Sequence, residues 1–182
     1  MKVEKTSIRG VHILKPNVFR DKRGFFLESY NRKVFREAGI NEEFVQDNHS
    51  RSLKGVVRGL HFQLKNPQGK LVRVIQGEIL DVVVDIRRES ATYKKWISVQ
   101  LDNKNMQQIW IPAGMAHGFS VLSETAEIVY KTTDFYHPED EAGIHWNDPE
   151  LNIDWKITSP IVSNKDENLP LLQEAESIFP AF

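Results

Sequence analysis

Six histidines, four tyrosines and no cysteine set the chemistry open to this 182-residue chain. A histidine takes up and releases protons near neutral pH and also ligates metals. Without cysteine there is no thiolate nucleophile, disulfide, zinc knuckle or iron–sulfur site. His12, His49, His137 and His145 have unremarkable surroundings, whereas His61 and His117 do not. His61 sits in GVVRGLHFQ, on an expected strand. Metal-binding double-stranded β-helix proteins often place His-x-His at such a point. Here the second position is Gln63 and the next acid is Glu78, so the triad is incomplete and no metal site is read. His117 follows a Pro-x-Gly turn in IPAGMAHGF, where an orienting role reads better than a ligand role.

A catalytic histidine needs an orienting group, commonly an acid. Asp81, Asp85 and Asp166 are the candidates, the last in a polar late loop, SNKDENLP. Tyr130, in IVYKTTD, could serve as a second proton-transfer group, and Lys70 opens the KLVRV strand after a turn. Spacing alone reads Tyr130 as a half-buried sheet aromatic and Lys70 as a solvated turn lysine.

Charge is segregated. From Asn48 to Gly77 there is no acid, while Arg51, Lys54, Arg58, Lys65, Lys70 and Arg73 are basic. From Thr132 to Trp155 there is no lysine or arginine. Two solvated surfaces are the plain reading; a basic wall for an anionic ligand is the sharper one. The net charge of −1 gives no global reason to expect nucleic acid or a membrane surface as partner. No apolar run approaches the ~18 residues of a membrane span. The opening MKVEKTSIRG lacks the apolar core of a secretion signal. A single-domain protein over 1–182, located in the cytoplasm, is the expectation.

Strands must carry these residues. Phe25–Tyr30, Val56–Phe62, Leu71–Ile75, Ile79–Arg87, Trp96–Leu101, Gln107–Ile111, Phe119–Leu122 and Ile128–Tyr136 are short and rich in β-branched and aromatic residues. Turn signals such as Pro67-Gln68-Gly69 and Gln76-Gly77 separate them. LDVVVDIR alternates like an antiparallel strand with one buried face. Helices are few: Asn31 can cap RKVFREA, stopped by Gly39, and LPLLQEAES can form a second. A mainly β sandwich or jelly-roll barrel follows.

The ordered segments RGFFLESYN, VQDNHSRS, GVVRGLHFQ, QGKLVRVIQGEILDVVVDIR, WIPAGMAHGF, AEIVYKTTDFY and WNDPEL resemble the motif series of the dTDP-4-dehydrorhamnose 3,5-epimerases, from about residue 1 to 175. The resemblance implies a mainly β, cupin-like double-stranded β-helix with a few short helices. It implies a homodimer without metal or cofactor. The implied substrate is dTDP-4-dehydro-6-deoxy-D-glucose, epimerised at C3 and C5 to dTDP-4-dehydro-L-rhamnose. By the family pattern the base matches His61, its orienting carboxylate Asp166, the opposite-face acid Tyr130 and the enolate stabiliser Lys70. Arg23 and Arg58 match diphosphate contacts. Phe26, Glu28, Gln46, Asp47 and Asn48 match thymidine-side and partner-chain contacts, and Tyr136 a base-stacking position. His117 and Glu141 match further substrate-site positions, with Lys165 beside the dyad acid. Enzymes acting at C3 or C5 alone, and a metal-dependent cupin enzyme, are the alternatives.

One local conflict follows from counting. Arg58 and His61, three residues apart, fall on opposite faces of a regular strand. Both can face one pocket only through a break in pairing, expected at Gly59.

Overall fold

The computed structural model describes residues 1–180. In chain order it holds β1 (Lys2–Lys5), β2 (His12–Lys15), β3 (Val18–Asp21), β4 (Gly24–Leu27), α1 (Arg32–Glu37), β5 (Gln46–Leu53), β6 (Val57–Gln63) and β7 (Lys70–Gln76). There follow β8 (Glu78–Asp85), β9 (Trp96–Asp102), β10 (Gln108–Ile111), β11 (Met115–Val121), β12 (Thr125–Thr132), β13 (Glu141–Gly143), α2 (Asn164–Glu167) and α3 (Leu172–Ala175).

Two antiparallel sheets face each other, in the orders β1-β2-β10-β7-β12-β5 and β13-β6-β11-β8-β9. The mainly β, cupin-like jelly roll is present, and the two sheets do not join into one closed ladder. Val72, Val74, Ile109, Ile111 and Ile128 of the first sheet meet Ile79, Val83, Leu101, Phe119 and Val121 of the second, filling one end of the space between them. The other end is polar and holds the cavity described below. β3 and β4 form a separate hairpin that pairs with no other strand among the described residues. No helix among those residues is long and apolar enough to cross a membrane.

Helix α1 forms as expected: the Asn31 side chain accepts from the Lys33 and Val34 amides, and Gly39 takes φ +85° just beyond the end. Its Phe35 packs with Ile40, Leu14, Leu71 and Trp110 on the outer face of the first sheet. The LPLLQEAES helix is shorter than expected, α3 continuing as a 3₁₀ turn at Glu176–Ile178.

Strand β8 corrects one expectation. It is buried on both faces, not one. Val83 faces the inter-sheet core, while Leu80, Val82, Val84 and Ile86 pack under Ile144, Leu151, Trp155, Leu172 and Phe179. The C-terminal third thus forms a third layer over the second sheet, so its alternation of apolar and acidic residues does not mark a solvated side. Tyr136 likewise lies beyond β12, outside any strand.

Candidate active site

The pairing of β6 with β11 slips at the expected place. His117 lies opposite His61 and Phe119 opposite Arg58, so two steps on β11 match three on β6. Gly59 has φ +126°. A Cβ on Gly59 would lie 2.5 Å from the Gly118 Cα, and one on Gly118 would lie 2.6 Å from the Arg58 carbonyl oxygen. Two facing glycines let the strands approach at the bulge. As a result Arg58 and His61 line one cavity, together with His117, Lys70, Tyr130, Ser50 and Phe119.

Asp166 stands behind His61. It lies on α2, not in the loop that its polar surroundings suggest. Ser163 caps that helix by accepting from the Asp166 amide at 3.1 Å. The nearly buried Asp166 carboxylate accepts from the Gly59 N–H at 3.2 Å and meets His61 Nε2 at 2.7 Å. Burial alone would raise this carboxyl, but the hydrogen bond and charge of His61 and the Gly59 amide outweigh it and hold it below the usual carboxylate range.

His117 has its own acid. Its Nε2 lies 2.8 Å from Oδ2 of fully buried Asp81, whose Oδ1 has no hydrogen-bond partner among the described residues. Asp85, the third candidate, is taken up by Arg87, Ser90 and Thr92, and so secures a turn.

Lys70 and Tyr130 come from neighbouring strands of the facing sheet, where Thr132 pairs with Lys70 and Tyr130 with Val72. Both side chains point inward. Lys70 is half-buried as a residue, yet its ammonium group is surrounded by protein, and this desolvation pulls it down to about 8 against the opposing pull of Glu141 and Asp81. Burial pushes the Tyr130 phenol up, Arg58 opposing.

A cavity of about 270 Å³ continues from this chamber to the surface and shares His61, Lys70 and Tyr130 with it. Its outer part is lined by Gln46, Asn48, Gln63, Gln68, Tyr136 and Glu141. The Tyr136 hydroxyl donates to Glu141 at 2.6 Å, and Glu141 also pairs with Lys165. That hydrogen bond, with burial, pushes Tyr136 up to about 12. Burial would raise Glu141, but Lys165 and Tyr136 outweigh it and keep it below its ordinary value.

Besides Asp166, which stands behind His61, and Lys165, which pairs with Glu141, four residues matched by resemblance do not line these cavities. Arg23 and Phe26 lie on the β3–β4 hairpin, where Arg23 pairs with Asp21. Glu28, just after it, accepts from Asn31. Asp47 points to the outer face of β5 and binds Lys131 at 2.8 Å, because alternation turns it away from Asn48. The acid-free segment is also resolved: only Arg58 and Lys70 of its six basic residues line these two cavities, while Arg51 and Lys54 pair with Glu127 and Glu124 outside. Gln63 and Gln68 were not singled out as site residues by sequence. Period-2 alternation from His61 would have placed Gln63 on the cavity side.

Among the described residues no three His, Cys, Asp or Glu side chains form a metal-binding group. At the His-x-His position the Gln63 amide is already engaged: its nitrogen donates to the Asn66 and Phe135 carbonyls and its oxygen accepts from the His137 N–H.

The family model for dTDP-4-dehydrorhamnose 3,5-epimerase matches residues 5–174. The chain is 56% identical over 170 residues to the enzyme of that name from Shigella flexneri, covering 92% of this chain and 94% of that one. It is 53% identical over 178 residues to the one from Pseudomonas aeruginosa, covering 97% and 98%. The crystal structure of a dTDP-6-deoxy-D-glucose-3,5-epimerase from Legionella pneumophila Philadelphia 1, in complex with dTDP-4-keto-L-rhamnose, superposes with a TM-score of 0.96 at 47% identity, covering 100% of this chain and 98% of that one. With a family model spanning nearly the whole chain and relatives above half identity, this protein belongs to the dTDP-4-dehydrorhamnose 3,5-epimerase family.

Proposed function

We propose that the protein converts dTDP-4-dehydro-6-deoxy-D-glucose to dTDP-4-dehydro-L-rhamnose, using no cofactor or metal, and that residues 1–182 act as one domain. The observation that carries this reading is the 2.7 Å His61–Asp166 pair in a cavity whose lining also includes Lys70 and Tyr130. The C4 ketone of the sugar acidifies the hydrogens on C3 and C5. His61 takes one of these protons, and Asp166 holds the ring and stabilises the imidazolium that forms. The electron pair left on carbon moves into the ketone, and the enolate oxygen is met by the Lys70 ammonium. Tyr130 returns a proton to the same carbon from the other face, which inverts it. The His61 imidazolium and Tyr130 phenolate then re-equilibrate with water, and the cycle repeats at the second carbon. No electrons enter or leave, so a nicotinamide has no role.

The diphosphate is read by Arg58, and the nucleoside by Tyr136, Gln46 and Asn48 at the mouth. His117 and Glu141 border the sugar. Arg23, Phe26, Glu28 and Asp47 act across a homodimer interface. The unpaired β3–β4 hairpin supports this, since it leaves Phe19 63% and Phe26 68% exposed. The protein works in the cytoplasm, where such a substrate is made; neither nucleic acid nor membrane is a partner. A coupled assay tests the reading: the protein, this substrate, NADPH and a rhamnose-forming reductase should consume NADPH and yield dTDP-L-rhamnose. No NADPH consumption above the reductase-only control would overturn it.

A further inference from the structure

Gln63 stands where metal-binding relatives of this barrel place a ligand, and every donor of its amide is spent on backbone. Its nitrogen donates to the Asn66 carbonyl at 2.6 Å and to the Phe135 carbonyl at 3.1 Å, and its oxygen accepts from the His137 N–H at 2.9 Å. Phe135 and His137 are the two neighbours of Tyr136. One buried amide thus grips the chain on both sides of this tyrosine, in a segment with no regular secondary structure. The remaining bonds of Tyr136 complete the hold. Its own N–H donates to Gln46 Oε1 at 3.0 Å, and its hydroxyl donates to Glu141. Glu141 in turn lies opposite Gln63 in the β13–β6 register. The Tyr136 ring itself remains about half exposed at 49%.

We infer that Gln63 is a positioning residue that fixes Tyr136 as a preformed aromatic platform at the cavity mouth, and so sets affinity for the nucleotide end of the substrate rather than the rate of proton transfer. This rests on the function proposed above. Gln63 has no N–H left to offer a ligand, so it acts through its neighbours. A platform held in place before binding avoids the entropy of ordering a loop on association. Side-chain identity matters at this point, because only a primary amide both donates twice and accepts once. A carboxylate of the same shape would set its oxygen against two carbonyl oxygens.

The test is a double-mutant cycle on dTDP affinity, measured by calorimetry for the wild type, Gln63→Glu, Tyr136→Ala and the double variant. Gln63→Glu should weaken dTDP binding about tenfold, as should Tyr136→Ala through lost stacking. The double variant should bind no more weakly than Tyr136→Ala alone. In turnover, Gln63→Glu should raise KM about tenfold and lower kcat by less than about threefold. Losses that multiply in the double variant, unchanged dTDP affinity in Gln63→Glu, or a fall confined to kcat would each overturn the inference. Gln63→Met, uncharged and of similar length, repeats the cycle should Gln63→Glu misfold. Loss of fold in both variants would mean that Gln63 holds the barrel, not the platform, and counts against the inference. Absence of wild-type dTDP binding would instead remove the proposed function itself, and this inference with it.

Discussion

His61 and His117 face each other across the β6–β11 pair, and each is backed by a different buried aspartate, Asp166 at 2.7 Å and Asp81 at 2.8 Å. The two pairs differ in their second carboxylate oxygen. That of Asp166 is bound by the Gly59 N–H, whereas that of Asp81 is left without a partner among the described residues. Only the His61 pair is fully braced, which favours it as the proton-abstracting one.

Replacing His61 by Asn should lower turnover by about 10³-fold or more while leaving dTDP affinity within a few-fold, since the residues proposed to hold the nucleotide are Arg58, Gln46, Asn48 and Tyr136 and not His61. Steady-state kinetics and dTDP titration measure the two quantities. A parallel loss of both would move His61 from base to binding residue.

Asp166→Asn keeps the shape but removes the charge that stabilises the imidazolium. A fall in kcat of about 10²–10⁴-fold is expected. Stability carries a second signature. The folded carboxyl titrates below its unfolded value of 3.8, so its contribution is present above that pH and is lost as pH falls through the folded pKa. Acid unfolding followed by circular dichroism should therefore be less steep in the variant.

Lys70 gives an alkaline limit. With its ammonium pulled down to about 8, kcat/KM should fall as pH rises through that value. Stability should run the other way. The unfolded chain binds more protons at this site between about 8 and the ordinary 10.5, so folding stability rises with pH across that window. Lys70→Met should abolish that slope, raise Tm at neutral pH and lower kcat/KM by about 10²-fold or more. A variant of unchanged or lower Tm would argue against a desolvated ammonium.

Gly118→Ala tests the bulge. The new methyl would meet the Arg58 carbonyl oxygen at 2.6 Å, forcing β6 and β11 apart. A stability loss of about 1–3 kcal/mol is expected from denaturant titration. Because Arg58 and His61 flank the displaced backbone, kcat/KM should drop by about 10²-fold as well. Full activity in a stable Gly118→Ala protein would show that the close approach does not set the geometry.

Strands β6 through β12 were readable from pattern, although β11 begins and β12 ends four residues earlier than expected, and β1 to β3 were not singled out. Strand β5, QDNHSRSL, was not, because Asn48 and Ser50 point into a polar cavity rather than a core, and hydrophobic alternation fails where a strand lines a site. Gly59 was legible through the conflict between Arg58 and His61 in strand period. The pairing of His61 with Asp166 was legible only through the family resemblance and not from spacing, because 105 residues separate them and only the third layer brings α2 under β6. Asp81 and Asp85 sit four residues apart on the same face of β8, one serving His117 and the other a turn, and spacing alone could not sort them.

The most direct measurement is isotope uptake during turnover. The protein is incubated with dTDP-4-dehydro-6-deoxyglucose in deuterated water and the sugar is read by NMR. Deuterium at both C3 and C5, lost together in His61→Asn, is expected from a single base serving both carbons. Label at one carbon alone, or at neither, would contradict it.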